Sequence, residues 1–244
     1  MNLISNYISP SHDRLEGRES IEWANFWYSR ANSLYDNGSR ILLVGDSTVR
    51  MVRSTFENVT HVPVDMIGTS CGLNDILFLS QMDAFFVSSQ YKYTAIFIQM
   101  GHHSIRGVDG NIYCDSDYEQ FKKDYVGLIC FLRQYCSNII LLTCFLNVSP
   151  LPSKMDGMIT SLPVLLYRKI FGEKIDFSWS NVVIEKNRII SEIATEENLK
   201  FCDIDEFMRL DCNGLFPRFI HKDHIHFWGT KAKIAIVKEY AKYL

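Results

Sequence analysis

Two short stretches of the 244-residue chain carry side chains suited to nucleophilic chemistry. Ser47 stands in Gly45-Asp46-Ser47, directly after the apolar run RILLVG. Asp223 and His226 stand three apart in Asp223-His224-Ile225-His226. A serine hydroxyl becomes a nucleophile beside a base, and histidine is the side chain that titrates near neutral pH. A carboxylate just before it can accept from Nδ1–H and fix the tautomer that leaves Nε2 toward the serine. Each piece has a plainer reading on its own. Serine often caps a helix, and D-x-x-H can be a solvated loop. Together they predict a triad of Ser47, Asp223 and His226. A Ser47 N–H at a strand-to-helix turn is also placed to stabilise an oxyanion.

Those residues need a scaffold that gathers them. Five apolar runs read as strands: Arg40–Gly45, His61–Ile67, Thr94–Met100, Asn138–Leu146 and Lys200–Ile204. They are apolar throughout rather than alternating, which suits a parallel sheet covered on both faces. Pro63 marks the second as an edge or a strand start. Helical patterns lie between them. Asp115–Gln134 repeats apolar residues at Tyr118, Phe121, Tyr125, Leu128 and Leu132, with Ser116 and Glu119 as a capping box. Val49, Val52, Phe56 and Val59 share a helical face after Ser47, and Asn181–Asn198 and Thr230–Tyr243 complete the set. Residues 1–38 read as an N-terminal helical extension, in which Ile21–Tyr35 carries Trp23, Phe26, Trp27 and Tyr35 as packing aromatics. Alternating strands and helices imply an α/β fold with a doubly wound sheet. Residues 149–179, with Pro150, Pro152 and Pro163, break the rhythm and read as an insertion in a single domain spanning 1–244.

In an open parallel sheet, ligands bind beyond the carboxyl ends of the strands. The residues there are Gly45-Asp46-Ser47, Gly68-Thr-Ser-Cys-Gly72 and Gly101-His102-His103. The G-x-S-x-G elbow is absent, since Val49 holds the second glycine position. With Asp223-x-x-His226 and Gly229, these blocks resemble the SGNH or GDSL hydrolase superfamily. That resemblance implies a flavodoxin-like, three-layer α/β/α sandwich with a five-stranded, mostly parallel sheet. It also implies an oxyanion hole from Ser47, Gly72 and His103. Gly72 is preferred to Gly68 as the second-block glycine, and His103 stands where the family has asparagine. Arg50, giving Gly-Asp-Ser-x-x-Arg, and Gly101-His102 resemble the PC-esterase branch, whose members act on O-acetyl groups of glycans. Arg50 reads equally as a structural ion-pair partner or as a binder of substrate carboxylate.

The expected activity is therefore a serine esterase removing ester-linked, O-acetyl-type groups from a carbohydrate or small ester. Three rivals stand beside it. A polysaccharide O-acetyltransferase would use the same triad. A metallohydrolase would draw on His102, His103, His221, Asp223, His224 and His226, although no H-E-x-x-H spacing appears. The third rival is a non-catalytic glycan-binding domain. The serine blocks account for Asp223 and His226 without metal, so neither a metal nor a cofactor is expected.

Composition narrows the partners. A formal net charge of −3 and the lack of a basic run argue against nucleic acid. No apolar run reaches the ~18 residues of a membrane span. The start, MNLISNYISPSHDRLEGRES, lacks a signal-peptide pattern, so a cytoplasmic location is expected. Seven cysteines without a C-x-x-C pair read as reduced thiols. The Asn58-Val-Thr and Asn147-Val-Ser sequons are then chance matches.

Overall fold

The computed structural model describes residues 26–29, 38–69, 73, 76–87, 92–102, 118–145, 178–210 and 230–244. Its elements run β1 (Phe26–Ser29), β2 (Ile41–Gly45), α1 (Ser47–Thr60), β3 (Val64–Thr69), α2 (Ile76–Val87) and β4 (Ala95–Gln99). There follow α3 (Tyr118–Leu132), β5 (Ile139–Leu142), α4 (Ser178–Glu196), β6 (Lys200–Cys202), α5 (Ile204–Leu210) and α6 (Thr230–Ala241).

The sheet order is β1-β3-β2-β4-β5-β6. The strands β2 to β6 are mutually parallel, and their spatial order is that of a flavodoxin-like sheet. The expected five parallel strands are all present, each within a few residues of its sequence-based bounds. One expectation is corrected. Phe26–Ser29, read from sequence as part of a helical extension, forms a sixth strand that runs antiparallel along β3. The remainder of 1–37, and the insertion up to residue 177, lie outside the described residues; Ser178 and Trp179 open α4.

Alternation along the strands explains the two helical layers, because successive side chains face opposite sides. Leu42, Val44, Ile67, Ile96, Ile98, Ile139 and Leu141 pack beneath α2, α3 and α4. Ile41, Leu43, Val64, Met66, Phe97, Ile140 and Leu142 pack beneath α1, α5 and α6. On the second face Phe56 meets Phe97 edge-on, and Tyr240 stacks on Phe97 with ring centroids 5.5 Å apart. The central strand β2 is wholly buried, with β3 on one side and β4 on the other. The turn that leaves it is therefore held from both flanks.

At the opposite end of the sheet, Arg40 and Asp65 pair at 2.8 Å with almost no exposure, and the Tyr93 hydroxyl donates to the same carboxylate at 2.9 Å. This cluster ties the entries of β2 and β4 to β3.

Candidate active site

Gly45 ends β2, Asp46 makes the turn and Ser47 is the first residue of α1. Asp46 is the N-cap: its Oδ1 accepts from the Thr48 N–H at 3.0 Å and lies 2.6 Å from the Thr48 hydroxyl. The cap satisfies one of the donors that a helix leaves open at its start. Ser47 itself is partly exposed, whereas Asp46 and Thr48 on either side are buried. A carboxylate at a helix N-terminus is favoured by the helix dipole, and it fixes where Ser47 emerges. Arg50, nearly one turn further along, is exposed.

Close packing sets this turn against β4. A Cβ on Gly45 would lie 2.5 Å from the Gln99 carbonyl oxygen, and the Asp46 N–H donates to that same oxygen at 3.2 Å. Only a residue without a side chain lets the two backbones approach so closely.

A polar belt continues across the carboxyl ends of the other strands. The Thr48 hydroxyl lies 2.7 Å from Gln99 Oε1, so its single proton is shared between two acceptors, Gln99 and Asp46. Gln99 Nε2 donates to the Thr143 carbonyl at 2.7 Å. The Thr143 hydroxyl donates to Asp203 at 3.0 Å and accepts from the Asp205 N–H. Asn187 of α4 holds both the N–H and the carbonyl of Cys144. Thr48, Gln99, Thr143 and Asn187 are site residues that the motifs in the sequence do not mark. The available signal was a glutamine and a threonine ending otherwise apolar strands.

His102, in the block after β4, is buried beneath the turn rather than open to the site. It is 1% exposed, with Nδ1 2.8 Å from Asp46 Oδ2 and Nε2 2.7 Å from the Phe145 carbonyl. Burial alone would push its pKa down. The Asp46 charge and hydrogen bond, together with the Phe145 carbonyl, outweigh that and hold it above the ordinary histidine value. Both ring nitrogens are committed below the surface, which accounts for His102 without a role as base or oxyanion donor.

Asp46, His102 and Cys144 are the one group of potential metal ligands among the described residues. Their geometry fits a proton better than an ion. Nitrogen and oxygen ligands about 2.0–2.2 Å from a tetrahedral zinc stand well over 3 Å apart. Nδ1 and Oδ2 touch at 2.8 Å. The Cys144 thiol is pushed well above its usual pKa, chiefly by burial and then by the Asp46 charge, and so stays protonated rather than becoming a ligand thiolate.

Of the residues expected to form the site, the described structure places Ser47 beside the Gly101-His102 end of β4. Gly72, His103, Asp223 and His226 lie outside the described residues, as do His221 and His224. Gly68, the alternative second-block glycine, falls inside β3 opposite Gly45 rather than after the strand. No helix among the described residues is long and apolar enough to cross a membrane. The cysteines Cys130, Cys136, Cys144 and Cys202 are free thiols.

No protein-family model and no curated protein matches the chain. Solved structures do. An acetylxylan esterase from Geobacillus stearothermophilus superposes with a TM-score of 0.55 at 13% identity, covering 86% of this chain and 95% of its own. A member of the lipolytic G-D-S-L family from Veillonella parvula gives 0.51 at 16% identity, covering 84% and 97%. A GDSL-like lipase from Bacteroides thetaiotaomicron gives 0.55 at 11%, covering 84% and 87%. The likeness spans most of the chain: this chain has the fold of the GDSL-type esterases and lipases.

Proposed function

We propose that this protein is a serine esterase that removes ester-linked acyl groups, O-acetyl above all, from a carbohydrate. The observation that carries the reading is the position of Ser47. It opens α1 at the carboxyl end of the central strand, between β3 and β4, where a doubly wound sheet binds its ligands. The acetylxylan esterase among the structural neighbours supports the substrate class.

His226 takes the Ser47 Oγ proton as Oγ bonds to the acyl carbon. Asp223 orients His226 and stabilises its charged form. The Ser47 and Gly72 N–H groups, with His103, hold the oxyanion. As the tetrahedral species collapses, the bond from acyl carbon to sugar oxygen breaks, and His226 returns the proton to that oxygen. Water then attacks the acyl-serine by the same route, releasing the carboxylic acid and restoring Ser47.

Replacing Ser47 by Ala tests this. Turnover of an acetylated aryl ester and release of acetate from acetylated xylan should fall by up to about a million-fold, the scale of losing a serine nucleophile. The circular dichroism spectrum should not change. A Ser47→Ala variant with the wild-type rate sinks the assignment.

A further inference from the structure

His102 and Asp46 form a buried pair one residue from Ser47. We infer that they act as one positioning unit. The buried imidazolium–carboxylate pair anchors the β2–α1 turn to the segment leaving β5, and it cancels the charge of a carboxylate one residue from Ser47. This rests on Ser47 being the nucleophile.

Counting protons gives the charge state. The Phe145 carbonyl oxygen only accepts, so Nε2 carries a proton. The 2.8 Å contact between Nδ1 and Asp46 Oδ2 requires one more proton between them. The pair as a whole is therefore neutral, built as an imidazolium against a carboxylate. Among the described residues, Asp46 and Phe145 favour that form. Lys186 reaches in from α4, with Nζ 3.3 Å from the Gly101 carbonyl, and opposes the imidazolium charge. The Cys144 thiol, held by the His102 backbone N–H, is neutral. Asp205 on α5 acts on Cys144, and the Tyr125 phenol on α3 lies within reach of Asp46 and is neutral too.

The electrostatic consequence follows from position. An oxyanion forming on the Ser47 adduct gathers negative charge at the N-terminus of α1. An uncompensated Asp46 carboxylate at that N-cap would repel it across a buried, weakly screening medium. With His102 protonated, the carboxylate still caps the helix while its net field on the adduct is largely cancelled. His102 also links two separate strand exits: Asp46 follows β2, and Phe145 lies just beyond β5. The turn is thereby braced across β4.

The experiment uses the full chain labelled with ¹⁵N-histidine, with kinetics on an aryl acetate. In wild-type protein His102 should titrate as an imidazolium with a raised pKa, and Asp46→Asn should bring that pKa down. Both His102→Gln and Asp46→Asn should lower kcat on the order of 100-fold, the scale of a reacting group displaced by about 1 Å, with KM nearly unchanged. The double variant should lose no more than the worse single one. The inference is overturned by a His102 that is neutral below its ordinary pKa, by single variants with wild-type kcat, by losses that multiply in the double variant, or by one zinc bound per chain. If the single variants do not fold, the wild-type titration decides alone. Absence of wild-type turnover would overturn the esterase reading instead. The spectroscopic arm needs no substrate and tells the two failures apart.

Discussion

Gly45→Ala is the sharpest perturbation that the structure offers. The added Cβ would stand 2.5 Å from the Gln99 carbonyl oxygen and 2.8 and 2.9 Å from the two Val49 methyls. Val49 can yield by rotating, but the carbonyl belongs to the backbone of a buried strand and cannot. Ordinary contact begins near 3.4 Å, so β2 and β4 must part by about 0.9 Å at this point. The Asp46 N–H bond to Gln99, already 3.2 Å, would then be lost. Overpacking of a tight core costs about 1–3 kcal/mol, and the lost hydrogen bond about 0.5–1.5 kcal/mol more. The expected destabilisation is therefore about 2–4 kcal/mol, read as a shift in the urea midpoint at constant slope. Ser47 lies two residues on, so kcat on an aryl acetate should also drop, by on the order of 100-fold for a displacement approaching 1 Å. A variant that keeps both its urea midpoint and its kcat would refute the reasoning, because it would mean that the two strand ends are not held in fixed contact.

Two further predictions concern charge. Arg40→Met should cost about 3–5 kcal/mol in urea unfolding, since it takes the guanidinium away from a fully buried Asp65 carboxylate; Arg40→Met with Asp65→Leu should recover much of that. The second concerns pH. Because the folded pKa of His102 is raised, its stabilising contribution is complete below the unfolded value near about 6.5 and is lost as pH rises through the folded value. The stability gap between wild type and His102→Gln should therefore narrow from pH 6 to pH 9 in urea titrations, and a gap that widens over that range would contradict the assignment.

The parallel strands were legible because burial on both faces leaves continuous apolar runs such as ILLVG and AIFIQ. Their limits were less clear where apolar residues run on past the last ladder bond, as Phe145 does beyond β5. Phe26–Ser29 misled because aromatic residues suit strands, and four residues hold too little periodicity to decide. Helix α2 escaped for the opposite reason. Its sequence, ILFLSQMDAFFV, is apolar nearly all round and shows no stripe. At the site, Gly45-Asp46-Ser47 marked the turn, but the destination of His102 was invisible. Two adjacent histidines after a strand look alike in sequence, and only the distance from β4 to β2 shows that the first reaches Asp46.

An open sheet exposes a strand at each border, and a long flat border is a template on which other chains can add. Among the described residues the borders are β1 with four residues and β6 with three. Lys200 on β6 is exposed and donates from Nζ to the Tyr243 carbonyl at the end of the chain. So short a border, carrying a lysine, offers an incoming strand few bonds and an unfavourable charge to bury. The strands β2, β4 and β5, buried along their whole length, are kept in the middle.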